Sequence, residues 1–155
     1  IKAGLLLSPD PQALLDEAQG MSPRRVAVGF ESSRLALLLA VLHRHGGVSS
    51  SGQDVFVNVV GGVRIGETAA DLPAVLAVFS SLRNRPVATD MVCFGELGLT
   101  GEIRPVPFGE ERLREAVKQG FRRALVPKGN APRTAFEGLA VEGVSRLDQA
   151  LAAAF

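Results

Sequence analysis

Segments whose apolar residues recur at every second position alternate along this chain with segments that carry an apolar stripe at helical spacing. That order confines the fold to helices packed on sheet, an α+β (mixed α/β) domain, because each kind of segment buries its apolar face against the other. Arg25 to Glu31 (RVAVGFE) predicts a half-buried strand with Val26, Val28 and Phe30 on its inner side. A helix follows over Arg34 to His45, with Leu35, Leu38, Leu39 and Leu42 as its stripe. Ser32 or Ser33 can cap it and Gly46-Gly47 end it. Asp54 to Val60 (DVFVNVV) reads as a strand closed by a turn at Gly61-Gly62. Thr68 to Arg83 is a mostly apolar helix with Pro73 in its first turn, so Asp71, or else Thr68, is its expected N-cap. Beyond it come a short strand at Met91 to Phe94, a hairpin over Gly95 to Val106 and a charged amphipathic helix at Glu110 to Gln119. Strands at Arg123 to Val126 and Leu139 to Val141 and a helix at Leu147 to Phe155 complete the order. Residues 1–24, punctuated by Pro9, Pro11 and Pro23 and with a short helical pattern at Gln12 to Ala18, read as a linker or peripheral segment. The compact domain is expected over residues 25–155.

The 155 residues, 46% of them hydrophobic, suffice for one domain with a real core. With no Trp and no Tyr, that core is built from Leu, Val, Ala and Phe. A net charge of +1 is not the footprint of a dedicated nucleic-acid binder, so any such contact needs a local basic patch. A single cysteine, Cys93, excludes an intrachain disulfide and a multi-cysteine zinc site, and fits a cytoplasmic protein. No stretch approaches the roughly 20 apolar residues of a membrane-spanning helix, and no signal peptide pattern opens the chain. Because it starts at Ile1 and not Met, it is expected to be a fragment of a longer protein or a processed chain.

The block from Asp54 to Pro127 carries a specific likeness. VFVNVVGG, a helix, CFGELGLTGEIRPV and then GEERLREAVKQGFRRALVP follow the order and spacing of the Lon proteolytic domain. QDVFVNVVGGVR, ETAADL, SSLRNRP and FGELGLTGEIRPV, with PRRVAVGFESSRLALLLAVL upstream, are closer still to the C-terminal Lon-protease-like domain of the RadA (Sms) family of bacterial DNA-repair proteins. The chain resembles that domain over roughly residues 20–155. The resemblance implies the Lon proteolytic-domain-like fold, of the ribosomal protein S5 domain 2 type. It also implies a role in DNA repair and recombination through branch migration, assembly as a hexameric ring, an ATPase core in cis and a recombinase as partner. ATP, Mg and Zn belong to the family's N-terminal part. Neither a GxxxxGK[ST] loop nor a CxxC pair stands in these residues, so no ATP, Mg or Zn cofactor is expected here.

Lon-type peptidases use a Ser–Lys dyad, a hydroxyl nucleophile with a lysine whose pKa is depressed by burial. The serine motif of that family, D-G-P-S-A-G, corresponds here to Gly66-Glu67-Thr68-Ala69-Ala70-Asp71, with Ala69 at the serine position. The lysine motif, G-G-L-K-E-K, corresponds to Pro107-Phe108-Gly109-Glu110-Glu111-Arg112, with Glu110 at the lysine position. Both members are replaced. Thr68 offers a hydroxyl one residue away, but Arg112 stays protonated and cannot serve as the base. The resemblance therefore implies a degenerate peptidase and a scaffold, in preference to an active Ser–Lys peptidase.

His43 and His45 stand two apart on a helix, a spacing that does not converge on a metal. Cys93, in an apolar strand, reads as a buried structural thiol. Glu67, Asp71, Glu96 and Glu102 read as structural carboxylates at a helix start and in a hairpin. Gly61-Gly62 lacks the third glycine and the lysine of a phosphate loop. Arg112, Arg114, Lys118, Arg122 and Arg123 lie in and just after one helix, interleaved with Glu110, Glu111 and Glu115. A salt-bridged surface is the plain reading; weak, sequence-independent DNA contact through Arg114, Lys118, Arg122 and Arg123 is the functional one. Lys128 and Arg133 extend that patch, whereas Arg123, opening a strand, could instead face the core. No stacking platform for single-stranded bases is expected.

Overall fold

The structure is a computed structural model, and it describes residues 2–3, 11–59 and 67–155. The elements run β1 (Lys2–Ala3), β2 (Pro11–Glu17), β3 (Arg25–Val28), α1 (Ser32–Gly46), β4 (Gln53–Val59), a 3-10 turn at Thr68–Ala70 and α2 (Asp71–Arg83). They continue with β5 (Met91–Cys93), β6 (Glu96–Leu97), β7 (Ile103–Arg104), α3 (Gly109–Lys118), β8 (Arg123–Pro127), a 3-10 turn at Lys128–Asn130, β9 (Ala140–Val144) and α4 (Leu147–Ala154). The fold is mixed α/β, as the order of patterns predicts. The Gly61-Gly62 turn and Gly66 lie outside the described residues, as does most of the segment before Pro11.

Three sheets organise these elements. One is wholly parallel, in the order β1-β5-β8-β9. The second has the order β2-β4-β3, antiparallel between β2 and β4 and parallel between β3 and β4. The third is the β6–β7 hairpin.

The parallel sheet is covered on both faces, which explains the unbroken apolar run at Met91 to Phe94. Met91 and Cys93 of β5 and Leu125 of β8 point into a larger core among α1, α2, α4 and the inner side of the three-stranded sheet. Val92, Phe94, Ala124 and Val126 point the other way, into a smaller core closed by Leu113 and Ala116 of α3. Leu35, Leu38, Leu39 and Leu42 of α1 are all buried, as their spacing predicts. Pro73 lies in the first turn of α2, where its missing N–H costs nothing.

Three local expectations are corrected. Gln12 to Ala18 forms no helix: Pro11–Glu17 is an edge strand with seven ladder pairs to β4, running from Pro11 opposite Val59 to Glu17 opposite Gln53. Within the segment read as peripheral, Pro11–Glu17 is thus built into the second sheet, and Lys2–Ala3 pairs with β5 in the first. The residues of QALLDE are good helix formers, but so short a segment gains little from propensity alone, and pairing along its whole length with a β-rich neighbour outweighs it; a proline is tolerated at the start of an edge strand. The strand at Arg25 is in the opposite phase from the one predicted. β4 buries Val55 and Val57, and Arg25 and Ala27 are their partners in register, so Val26 and Val28 face outward beside Phe56 and Asn58. Finally, neither α1 nor α2 has a side-chain N-cap. Ser33 binds Glu31, and the Asp71 carboxylate is engaged elsewhere.

Candidate functional site

The two stretches aligned with the dyad motifs meet in space. Glu67 precedes the 3-10 turn that holds Ala69, and Arg112 lies within α3, 45 positions on. Arg112 Nη1 and Nη2 donate to the two Glu67 carboxylate oxygens, each at 3.1 Å, and its Nε donates to the Pro107 carbonyl at 3.0 Å. The guanidinium carbon lies 5.7 Å from the Phe94 ring centre, so an aromatic face and an acid enclose this cation. Helical spacing explains its burial: Arg112, Leu113 and Ala116 share the inner side of α3 with Gly109. The sequence reading placed Arg112 among the surface cations and gave it no partner. Its signal was the proximity that the paired motifs imply.

Ala69 is 3% exposed and packs in the smaller core, so no hydroxyl stands at the serine position. The Glu110 side chain is 64% exposed and pairs with Arg114 one turn along. It turns away from Arg112, as residues two apart on a helix do. Thr68 is exposed at the start of the turn. A buried, permanently charged guanidinium bonded to a carboxylate offers neither nucleophile nor base.

Around this region the structure spends its carboxylates on architecture. Asp71, at the first position of α2, accepts from Arg34 Nε at 2.9 Å, from a second Arg34 nitrogen and from the Leu97 N–H at 3.0 Å. It thereby ties α1, α2 and the hairpin together. Burial pushes its carboxyl up, against the pull of Arg34. Glu102 sits over Gly98 and is held down at about 2, by the Thr100 hydroxyl first and then by backbone donation and Arg104. Glu96 also pairs with Arg104, at 3.3 Å. The structural reading of all four acids is supported by these partners. Cys93 is wholly buried, and burial pushes its thiol up to about 12. His45 hydrogen-bonds the Leu99 carbonyl at 3.1 Å, while His43 is exposed.

The basic candidates lie on the outside. Arg114 is committed to Glu110, and Lys118 stands 3.8 Å from Glu115. Arg122 and Arg123 are exposed at the entry to β8, so Arg123 does not face the core. Lys128 and Arg133 are exposed in the turn and loop that follow β8. Phe108, at the N-cap of α3 with φ 62°, is an exposed aromatic that the sequence reading did not single out.

Comparison with known proteins identifies the chain's relatives. The family model described as Subunit ChlI of Mg-chelatase matches residues 25–130. DNA repair protein RadA of Escherichia coli (strain K12) is 61% identical over 140 residues, 90% of this chain and 30% of the relative. The RadA of Haemophilus influenzae is 62% identical over 141 residues, 91% of this chain and 31% of the relative. That of Aquifex aeolicus is 44% identical over 144 residues, 93% of this chain and 32% of the relative. The chain thus spans under a third of the length of these relatives, and it matches their C-terminal part. The chain belongs to the domain family that this model describes, in the Lon-protease-like form that makes up the C-terminal part of DNA repair protein RadA.

Proposed function

We propose that this domain is a non-catalytic scaffold of a RadA-type DNA-repair protein. It serves as a Lon-like platform for assembly beside an ATPase core in the same chain. The observation that carries the reading is the pair of dyad positions: a buried Ala69, and a Glu110 turned to solvent and tied to Arg114, with Arg112 locked on Glu67 between them. Kinship with DNA repair proteins supports the wider role, in which a hexameric ring in the cytoplasm drives branch migration with a recombinase as partner. ATP, Mg and Zn then belong to the N-terminal part. The exposed cations Arg114, Lys118, Arg122 and Arg123 supply weak phosphate contacts.

The test is proteolysis. Incubation with an unfolded protein substrate, with and without ATP, should leave the substrate intact. Ala69→Ser should be equally inactive, because Glu110 cannot replace a lysine base. Cleavage by the unaltered chain that disappears in Thr68→Ala would make the domain a peptidase and end the scaffold reading.

A further inference from the structure

We propose that the outer face of the β2-β4-β3 sheet is a two-fold interface between two copies of this chain. The inner side of that sheet is in the larger core, and among the described residues no element covers the outer side. Register places three ranks of side chains across the outer face. Leu14, Phe56 and Val26 form the middle rank, Gln12, Asn58 and Val28 the rank beyond, and Asp16, Asp54 and Arg24 the rank at the near end. Leu14 is 62% exposed, Val28 56% and Val26 39%, with Phe56 half-buried between them. Apolar residues across all three strands of one open sheet face make a patch, where isolated exposed apolar residues need no explanation.

The charges identify the occupant. Asp16 lies on the β2 edge, and among the described residues it has no ion-pair partner. Arg24 lies on the β3 edge, 5.6 Å above the Phe56 ring centre. Its Nε and Nη2 are committed to Asp54 at 2.9 and 2.8 Å, while Nη1 has no partner among the described residues. A two-fold axis lying between two such faces, parallel to the strands, carries β2 of one copy over β3 of the other and keeps each rank with itself. Asp16 then meets Arg24 of the second copy, twice. Leu14 meets Val26, twice, and Phe56 meets Phe56 on the axis. Stacked sheets run about 10 Å apart with strands within about 30° of each other, the spacing that side chains of this size fill. This axis matches the apolar middle rank with itself and sets the acid at one edge over the cation at the other, as a closed, isologous contact needs. This pairing is separate from ring closure, which requires a head-to-tail surface.

Light scattering on the whole chain over a concentration series tests it, beside Leu14→Lys and Asp16→Lys. Both substitutions lie on the solvent side of an edge strand, and an unchanged circular dichroism spectrum checks that each variant folds. The unaltered chain should double in mass as concentration rises. Asp16→Lys should raise the midpoint of that doubling at least tenfold, more at low salt than at high, and Leu14→Lys should abolish it. Monomer at every concentration, or doubling indifferent to both substitutions, overturns the proposal. A ring of six that neither variant alters overturns the two-fold face and leaves the scaffold reading standing; loss of the doubling with the ring intact supports both.

Discussion

Glu102 shows how much of this domain rests on single polar side chains. Its carboxylate accepts from the Thr100 N–H at 3.1 Å and from the Thr100 hydroxyl, and pairs with Arg104 at its other oxygen. These partners favour the ionised form and hold it at about 2, from an ordinary 4.5. A carboxyl depressed by folding contributes stability above its unfolded value and loses it as pH falls toward its folded value. The Glu102→Gln variant should therefore unfold at lower urea than the parent near pH 6. That gap should shrink between about pH 5 and pH 2, because the parent loses its advantage as Glu102 protonates. A gap that stays constant to pH 2 would show that the ionised carboxylate contributes nothing. Glu102 was legible as a structural acid because it sits in a glycine-spaced hairpin. Arg112 was not: whether a cation on an amphipathic helix faces in or out depends on the partner opposite it, and Glu67 is 45 residues away.

At the scale of elements, the β6–β7 hairpin is the joint of the molecule. The Gly101 carbonyl accepts from Leu147 at the start of α4, Ile103 donates to Ser145, and His45 at the end of α1 reaches Leu99. Gly101 has φ 81°, and a Cβ there would stand 2.8 Å from His45 Cγ. Alanine would be strained by the backbone and blocked by the ring at once. Gly101→Ala should cost more than about 1 kcal/mol in a urea titration, with α1 and α4 loosening together. No loss, with His45 unmoved, would mean that the joint is looser than its geometry. The hairpin itself was legible in GELGLTGEIRPV. Its docking between two helices was not, because three separate segments meet there.

For the whole molecule, charge limits the proposed contact with DNA. A net charge of +1 leaves no long-range field to gather a polyanion, so the proposed contact depends on a few exposed cations. Lys118 stands 3.8 Å from Glu115, and Arg122 is exposed beyond the end of α3. Binding to duplex DNA should be weak, indifferent to sequence and steeply reduced by salt. Each genuine phosphate contact contributes about 0.9 to the slope of log affinity against log salt, so Lys118→Ala with Arg122→Ala should flatten it by up to about 1.8. An unaltered slope would place the contact on another face, and marked preference between two unrelated duplexes would contradict a phosphate mechanism.

The amino-acid sequence by itself determined the order of strands and helices from Arg25 onward, the buried stripe of α1 and the first-turn place of Pro73. These are properties of periodicity and of residue identity, and both are local. Only the tertiary structure decided that Pro11–Glu17 is a strand and that Val26 and Val28 look outward. It also set Arg112 on Glu67 and brought Asp16 and Arg24 to opposite edges of one face. The physical reason is common to all four. Strand phase and side-chain partners are set by register against β4 and by packing between distant segments, and a seven-residue stretch too short to hold a helix by its own propensity takes the conformation that its neighbour's unpaired N–H and C=O groups demand.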